Sequence, residues 1–332
     1  MFKTIKPKVD ETQEFIEIAN DFSNPLDLVR EGISNAYDAS ATEIWINFEV
    51  IKEYGTSVLK ITLKDNGTGI SAEALQNFFD LGNSTRREDP EKIGEKGHGT
   101  KVYFNSAQIE VKTNDGINKL HAIMKEPYKK LHDREIPLAE VYKIDDAPQG
   151  TEITILGYNG NRRSKFTHDI LKDYIMWFTK HGSIENTFNK IESPVTLHLK
   201  GLGQDEYETI EQGHFFPNDS KKIEDLFEEH MVAAPNHYCK KHIYNGQLKN
   251  FPEIKFQAVF CVEGKNVKYE YNNMLRRSGY SAPSGAYQIT DRYGLWLCKD
   301  YIPIQRKNNW ITYKGSEYTK FHAFINCQNF RL

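Results

Sequence analysis

Apolar positions recur at helical spacing in three early segments of the chain. Residues 10–21 set Phe15, Ile16 and Ile18 among acids, which predicts a short amphipathic helix. Ser23-Asn24-Pro25 reads as a helix start, a capping side chain followed by proline at the first helical position. From Pro25 to about Ala39, Leu26, Val29, Ile33 and Ala36 share one face. SAEALQNFFDL (71–81) opens with Ser71 as a cap and predicts a third helix. Between these, EIWINFEVI (43–51) and SVLKITL (57–63) alternate with period two around EYGTS and its turn glycine. That is a β-hairpin after a helix, not a βαβ unit. Residues 82–97 are polar, charged and punctuated by glycine, so they read as a long loop. AQIEVKT (107–113) and KLHAIMK (119–125) flank Asn114-Asp115-Gly116, a strong hairpin signal. GTEITILGY (150–158) is a further strand, and KFTHDILKDYIMWFTKHG (165–182) a helix stopped by Gly182. The second half is strand-rich, in VTLHLKG, KFQAVFCVEG, YGLWLCKD and FHAFINC. The class is therefore α+β. With no repeat or low-complexity linker, we place a soft boundary near 183–192, giving domains 1–187 and 188–332.

Composition narrows the class without naming a task. The 332 residues are 39% hydrophobic and 27% charged, enough to bury a core and too much for a wholly disordered chain. No run approaches the ~18 apolar residues of a spanning helix. The opening MFKTIKPKVDETQEF has no apolar signal region. A cytoplasmic protein without a membrane partner is expected. Lys+Arg is 43 against Asp+Glu 46, a net charge of −3, which gives no bulk attraction for nucleic acid and leaves only local patches. The four cysteines form no C-x-x-C pair, so a disulfide framework is not expected. His237, Cys239 and His242 could supply three zinc ligands, but no second cluster completes a finger, and an ordinary polar loop is the favoured reading.

Chemistry concentrates in three segments of the first third. On the helix, Glu31, Asn35 and Asp38 form one polar stripe opposite Ile33, Asn35 being ~40° from Glu31 and Asp38 ~20° the other way. Alone, such a stripe reads equally well as a solvated face. Asp65-Asn66-Gly67-Thr68-Gly69 ends a strand, where an acid and paired glycines make either a plain turn or a carboxylate beside a backbone that a ligand can approach. Gly94-Glu-Lys-Gly97-His98-Gly99-Thr100-Lys101 opens the helix carrying Val102, Tyr103 and Phe104, and such glycines present N–H groups to an anion. It is not a P-loop, because the order is Gly-Thr-Lys and no strand precedes it. A dinucleotide fingerprint fails for want of a βαβ unit.

Taken together, E-x-x-x-N-A-x-D-A, D-x-G-x-G and G-x-x-G-x-G at these separations resemble the GHKL ATPases of the Bergerat fold. That class includes gyrase B subunits, MutL, heat-shock chaperones, MORC ATPases and histidine kinases. The motifs span about 31–101, and Gly150-Thr151 looks like the late Gly-Thr strand of the same domain. The resemblance implies a two-layer α/β sandwich on a mostly antiparallel sheet, followed by a second, transducer-like domain. It implies ATP and Mg²⁺ as ligands. Glu31 would be the general base, Asn35 the Mg²⁺ ligand and Asp65 the partner of the adenine amino group. Gly67 and Gly69 would shape the base pocket. Gly94, Gly97, His98, Gly99, Thr100 and Lys101 would line the phosphates, although Lys101 also reads as a solvated charge. Thr151 would anchor the adenine end, and Asp38 would support helix or pocket. Residues 82–97, with Ser84, Thr85, Arg86 and Arg87, would be a lid.

Within the class, Glu31 argues for hydrolysis rather than histidine phosphorylation, and the first histidine of the chain is His98, with none upstream to accept phosphate. The second half resembles the sensor domain of gyrase-, MutL- and MORC-type heads, with Lys307 as the sensor lysine and Arg306 as its substitute. An exposed basic turn is the alternative. The expected function is ATP-gated dimerisation of two heads, with the N-terminal helix as an exchanged strap. A DNA client is an expectation that rests on LRRSGY (275–280) and NGNRRSK (159–165), each also readable as a solvated loop. The alternatives are a non-hydrolysing nucleotide sensor and a chaperone-like ATPase. The apolar ending FHAFINCQNFRL raises the expectation that this is the motor portion of a longer protein.

Overall fold

Hydrophobic alternation in the hairpin 43–65 builds the centre of the first of two sheets. The structure, a computed structural model, describes residues 10–21, 24–53, 55–80, 99–276, 279, 281–311 and 317–329. β1 (Glu43–Glu53) and β2 (Thr56–Asp65) pair antiparallel, and Ile44, Ile46, Phe48, Leu59, Ile61 and Leu63 are buried. β3 (Gln108–Asn114) and β4 (Lys119–Lys125) form the hairpin that Asn114-Asp115-Gly116 predicts. β5 (Ala139–Lys143) lies at one edge, and β6 (Gly150–Leu156) runs between β2 and β3. β7 (Thr196–Lys200) and β8 (Glu208–Ile210) complete the order β5-β4-β3-β6-β2-β1-β7-β8. Every pairing is antiparallel except β1 with β7. VTLHLKG therefore joins the first sheet, although the sequence places it with the strands of the second half.

The helices that carry or flank the motifs pack with this sheet. α1 (Glu11–Asp21) stacks Phe15 on Phe104 at 5.5 Å. α2 (Asp27–Asp38) buries Leu28, Val29, Ile33 and Ala36. At Gly32 an added Cβ would lie 2.7 Å from Leu63 Cδ1, so α2 sits hard against β2. The helix starts two residues later than its proline. Asn24 Oδ1 accepts from the Leu26 N–H at 3.1 Å and shapes the turn ahead of it. α3 (Ala72–Phe79) starts as predicted, with Ser71 Oγ accepting from the Ala74 N–H at 3.2 Å. Residues Gly99–Phe104 make a single short 3₁₀ helix rather than an α-helix.

By contact the chain divides into two compact units, Met1–His168 with Val195–Ile210, and Asp169–Pro194 with Glu211–Leu332. In the second unit β9 (Cys239–Leu248), β10 (Phe251–Glu263), β11 (Gly294–Lys299), β12 (Ile302–Arg306) and β13 (Phe321–Asn326) form a sheet in the order β12-β11-β13-β10-β9. Its core packs Trp177 with Ile184, Val259, Trp296, Cys298 and Phe324. The apolar run from Tyr293 to Ile304 contributes to two strands, β11 and β12. Asp300 and Tyr301 both take positive φ, 51° and 63°, and fold it back as a tight hairpin. The fold class is α+β, one large mostly antiparallel sheet followed by a second sheet domain. No helix among the described residues is long and apolar enough to cross a membrane.

Candidate functional site

The buried face of α2 fixes what its other face presents. With Val29, Ile33 and Ala36 inside, Glu31 and Asn35 fall on the opposite stripe, yet both are only half-exposed. Asn35 Nδ2 donates to Glu31 Oε1 at 3.0 Å. The stripe is not a freely solvated face, because the third motif stands over it. An added Cβ at Gly99 would lie 2.0 Å from Glu31 Oε2, so the backbone of that glycine touches the carboxylate. The sequence separates Glu31 and Gly99 by a whole hairpin and a helix, and the fold returns them to contact. Asp38 closes the same helix, half-buried.

Lys101 is not a solvated charge. Its side chain is fully buried, and Nζ donates to the Phe78 carbonyl at 2.7 Å and to Thr100 Oγ1 at 2.9 Å. Thr100 Oγ1 in turn donates to Phe78 O at 2.7 Å. Burial pulls the ammonium down to a pKa of about 8, while the Glu31 and Asp80 carboxylates work against that fall. The third motif thus places a cation of lowered pKa within the electrostatic reach of Glu31.

The second motif is fastened at the ends of β2, β3 and β6. Asp65 Oδ1 accepts from the Gly67 N–H at 2.8 Å, and the Thr151 N–H also donates to this carboxylate. Burial nevertheless dominates and raises its pKa above the usual carboxylate value, with the two N–H groups offsetting part of the rise. Asn66 Oδ1 accepts from the Thr42 and Glu43 N–H groups, each at 2.9 Å, and ties the turn to the start of β1. At Gly69 φ is +76° and an added Cβ would lie 2.1 Å from Asn114 O, so only glycine fits. Ile70 N–H donates to Thr113 Oγ1 at 2.7 Å, and that hydroxyl lies 3.3 Å from Thr151 Oγ1. Thr113 is a residue the sequence reading missed. Its signal was register: Thr113 sits opposite Thr151 in the β3–β6 pair.

Ser84, Thr85, Gly94, Gly97 and His98, with the whole expected lid, fall outside the described residues. Lys307 belongs to the second unit. Its N–H donates to Leu295 O at 2.7 Å and Nζ lies 5.7 Å from the Trp310 ring. Arg306 donates to Thr290 O within the same unit. Of the basic pieces considered for DNA, Arg163 is a structural residue, donating to Ser57 O at 2.7 Å.

Residues 25–151 match the family of histidine kinase-, DNA gyrase B- and HSP90-like ATPases. This chain carries a GHKL-type ATPase domain. The MutL DNA mismatch repair protein of Thermosipho melanesiensis is 25% identical over 65% of this chain and 39% of its own length. That of Staphylococcus epidermidis is 29% identical over 50% of this chain and 24% of its own length. The chain thus spans well under half the length of the relatives it matches. A solved N-terminal domain of a DNA repair protein is 12% identical over 91% of this chain and 82% of its own, with a TM-score of 0.43. At that score the structural likeness adds nothing to the family match.

Proposed function

We propose that this GHKL domain binds ATP with Mg²⁺ and hydrolyses it to ADP and phosphate. The observation that carries the reading is the contact between the Gly99 backbone and the Glu31 carboxylate, which sets a phosphate-type glycine loop against a candidate base. In this reading Asp65 accepts from the adenine amino group, Gly67 and Gly69 let the base approach the backbone, and Thr151 with Thr113 closes that end of the pocket. The glycine loop 94–101 supplies N–H groups to the phosphates. Lys101, still mostly protonated at pH 7 with a pKa of about 8, adds positive charge beside Glu31. Glu31 takes a proton from the attacking water as its oxygen bonds to the γ-phosphorus and the bond to the ADP oxygen breaks.

The Glu31–Asn35 pair offers oxygen donors at a half-buried position, the donor set Mg²⁺ takes. Asn35 would hold the ion through Oδ1, and the ion would neutralise phosphate charge. Asp38 would support this helix end. Residues 82–97, with Ser84 and Thr85, would close as a lid, and two heads would dimerise over ATP with α1 as the exchanged strap. Lys307 would be the sensor from the second domain. The MutL relatives are named as DNA mismatch repair proteins, which supports a role on DNA, and the homodimer proposed above would act there.

Sedimentation velocity with and without a non-hydrolysable ATP analogue, in Mg²⁺, tests the binding and dimer steps together. The expected outcome is a monomer that becomes a dimer only with the analogue. Sedimentation unchanged at saturating analogue would remove the dimer cycle, and no binding of the analogue would remove the nucleotide site.

A further inference from the structure

The second unit buries a cluster of metal-binding side chain types that the nucleotide site does not use. Strand register assembles it. Cys261 and Glu263 are two residues apart on β10 and so point to one face. Glu263 pairs with Cys239 of β9, and Cys261 pairs with His322 of β13. Paired residues share a face, so all four side chains meet on the same side of three adjacent strands. All four are buried.

Three of the four side chains come within reach of one small ion, and Cys239 adjoins them through Cys261. A ligand atom from each of Cys261, Glu263 and His322 lies within 4.8 Å of the other two. The free thiols of Cys239 and Cys261 place their sulfurs 3.7 Å apart. Two thiolates on one tetrahedral zinc, at ~2.3 Å each, stand roughly 3.8 Å apart. The histidine supplies a second, independent sign. His322 is fully buried, and its Nε2 has no hydrogen-bond partner among the described residues. An unpaired buried imidazole nitrogen is costly, and a ligand is one way to satisfy it. The ring cannot easily turn away, because it stacks between Phe216 and Tyr271 with centroids at 5.2 and 5.8 Å. Glu263 is fixed as well, one oxygen against His322 Nδ1 and the other accepting from the Tyr293 hydroxyl at 2.9 Å.

The neighbouring trio in the sequence does not form this site. His242 is three residues from Cys239 along β9 and so falls on the other face. His237 stacks on His230 at 3.8 Å and contacts Asn266.

We propose that Cys261, Glu263 and His322, with the Cys239 thiol drawn in from beside Cys261 as the fourth ligand, form a structural site for a zinc-class divalent cation that staples β9 to β10 and β13. Binding releases the two thiol protons to solvent. Two thiolates, one carboxylate and one divalent cation sum to a single negative charge, and the Lys268 ammonium acting on Glu263 balances it. Nothing in this proposal depends on the ATPase reading.

The test is elemental analysis of the full chain, purified without a metal resin, followed by Co²⁺ exchange. The expected result is about one zinc per chain. Co²⁺ should give the intense visible bands of a tetrahedral site and thiolate-to-cobalt charge-transfer absorption. Cys261→Ser should lose zinc and the charge-transfer band, while Cys298→Ser, a buried thiol outside the cluster, keeps both. Absence of zinc with no cobalt bands in the wild type would overturn the site, and that arm needs no variant to fold. Undiminished metal in Cys261→Ser, or a Cys239–Cys261 disulfide in the purified protein, would overturn it too.

Discussion

Lys101→Met should stabilise the first unit at neutral pH and remove a specific pH dependence. The native state lowers this lysine from 10.5 to about 8, chiefly by burial. At ~1.4 kcal/mol per pKa unit, keeping the ammonium inside costs the fold roughly 3 kcal/mol at pH 7. The direction is fixed by proton counting. Above pH 10.5 the amine is neutral folded and unfolded, and no cost exists. As pH falls towards 8 only the unfolded chain takes up the proton, so stability is lost through that window, and below about 8 the cost is complete. Methionine fills the same channel without the charge. It forfeits two donated hydrogen bonds at ~1 kcal/mol each, although Phe78 O keeps its bond from Thr100. A net gain of about 1–2 kcal/mol at pH 7 is expected. Wild type should then recover about 2 kcal/mol relative to the variant between pH 7 and 9.5. Urea unfolding by circular dichroism at both pH values measures this, reading the transition that the substitution moves. An identical difference between the two proteins at pH 7 and 9.5 would refute the buried-ammonium argument.

Two further outcomes follow from close contacts and buried titration. Gly99→Ala would put a methyl 2.0 Å from Glu31 Oε2, so turnover should fall by about 100-fold or more while circular dichroism is unchanged, because the clash displaces the base rather than the core. His214 is buried neutral, its pKa lowered to about 3 by burial and by His322, so the second unit should lose stability as pH falls from 6.5 towards 3. His214→Phe should flatten that part of the acid unfolding curve, and an unchanged curve would contradict it.

How much of this was legible in the sequence depended on how local each signal was. The α2 stripe, the Ser71 cap and the Asn114-Asp115-Gly116 hairpin are decided within a few residues, and the structure forms each of them. The acid and glycine pairs stood out as candidates because strand ends and helix faces fix where such side chains sit. Non-local pairing was not legible. β7 reads like any apolar strand, and only its parallel partner β1 assigns it to the first sheet. β5 and β9 are edge strands with mostly exposed side chains, so they lack the alternation that marks a half-buried strand. The break between β11 and β12 rests on positive φ at Asp300 and Tyr301, where no glycine announces it. The burial of Lys101 was hidden for the same reason, since nothing adjacent in the chain shows that Phe78 closes over it.

Phosphate release from ATP by wild type and by Glu31→Gln, with ATP affinity measured in parallel, bears most directly on the central claim. Glutamine keeps the shape of the side chain and its contact with Asn35 but cannot take a proton from water. The account predicts Mg²⁺-dependent turnover in the wild type, a loss of about 100-fold or more in Glu31→Gln, and closely similar ATP affinity in both. Equal turnover in the two proteins would contradict it.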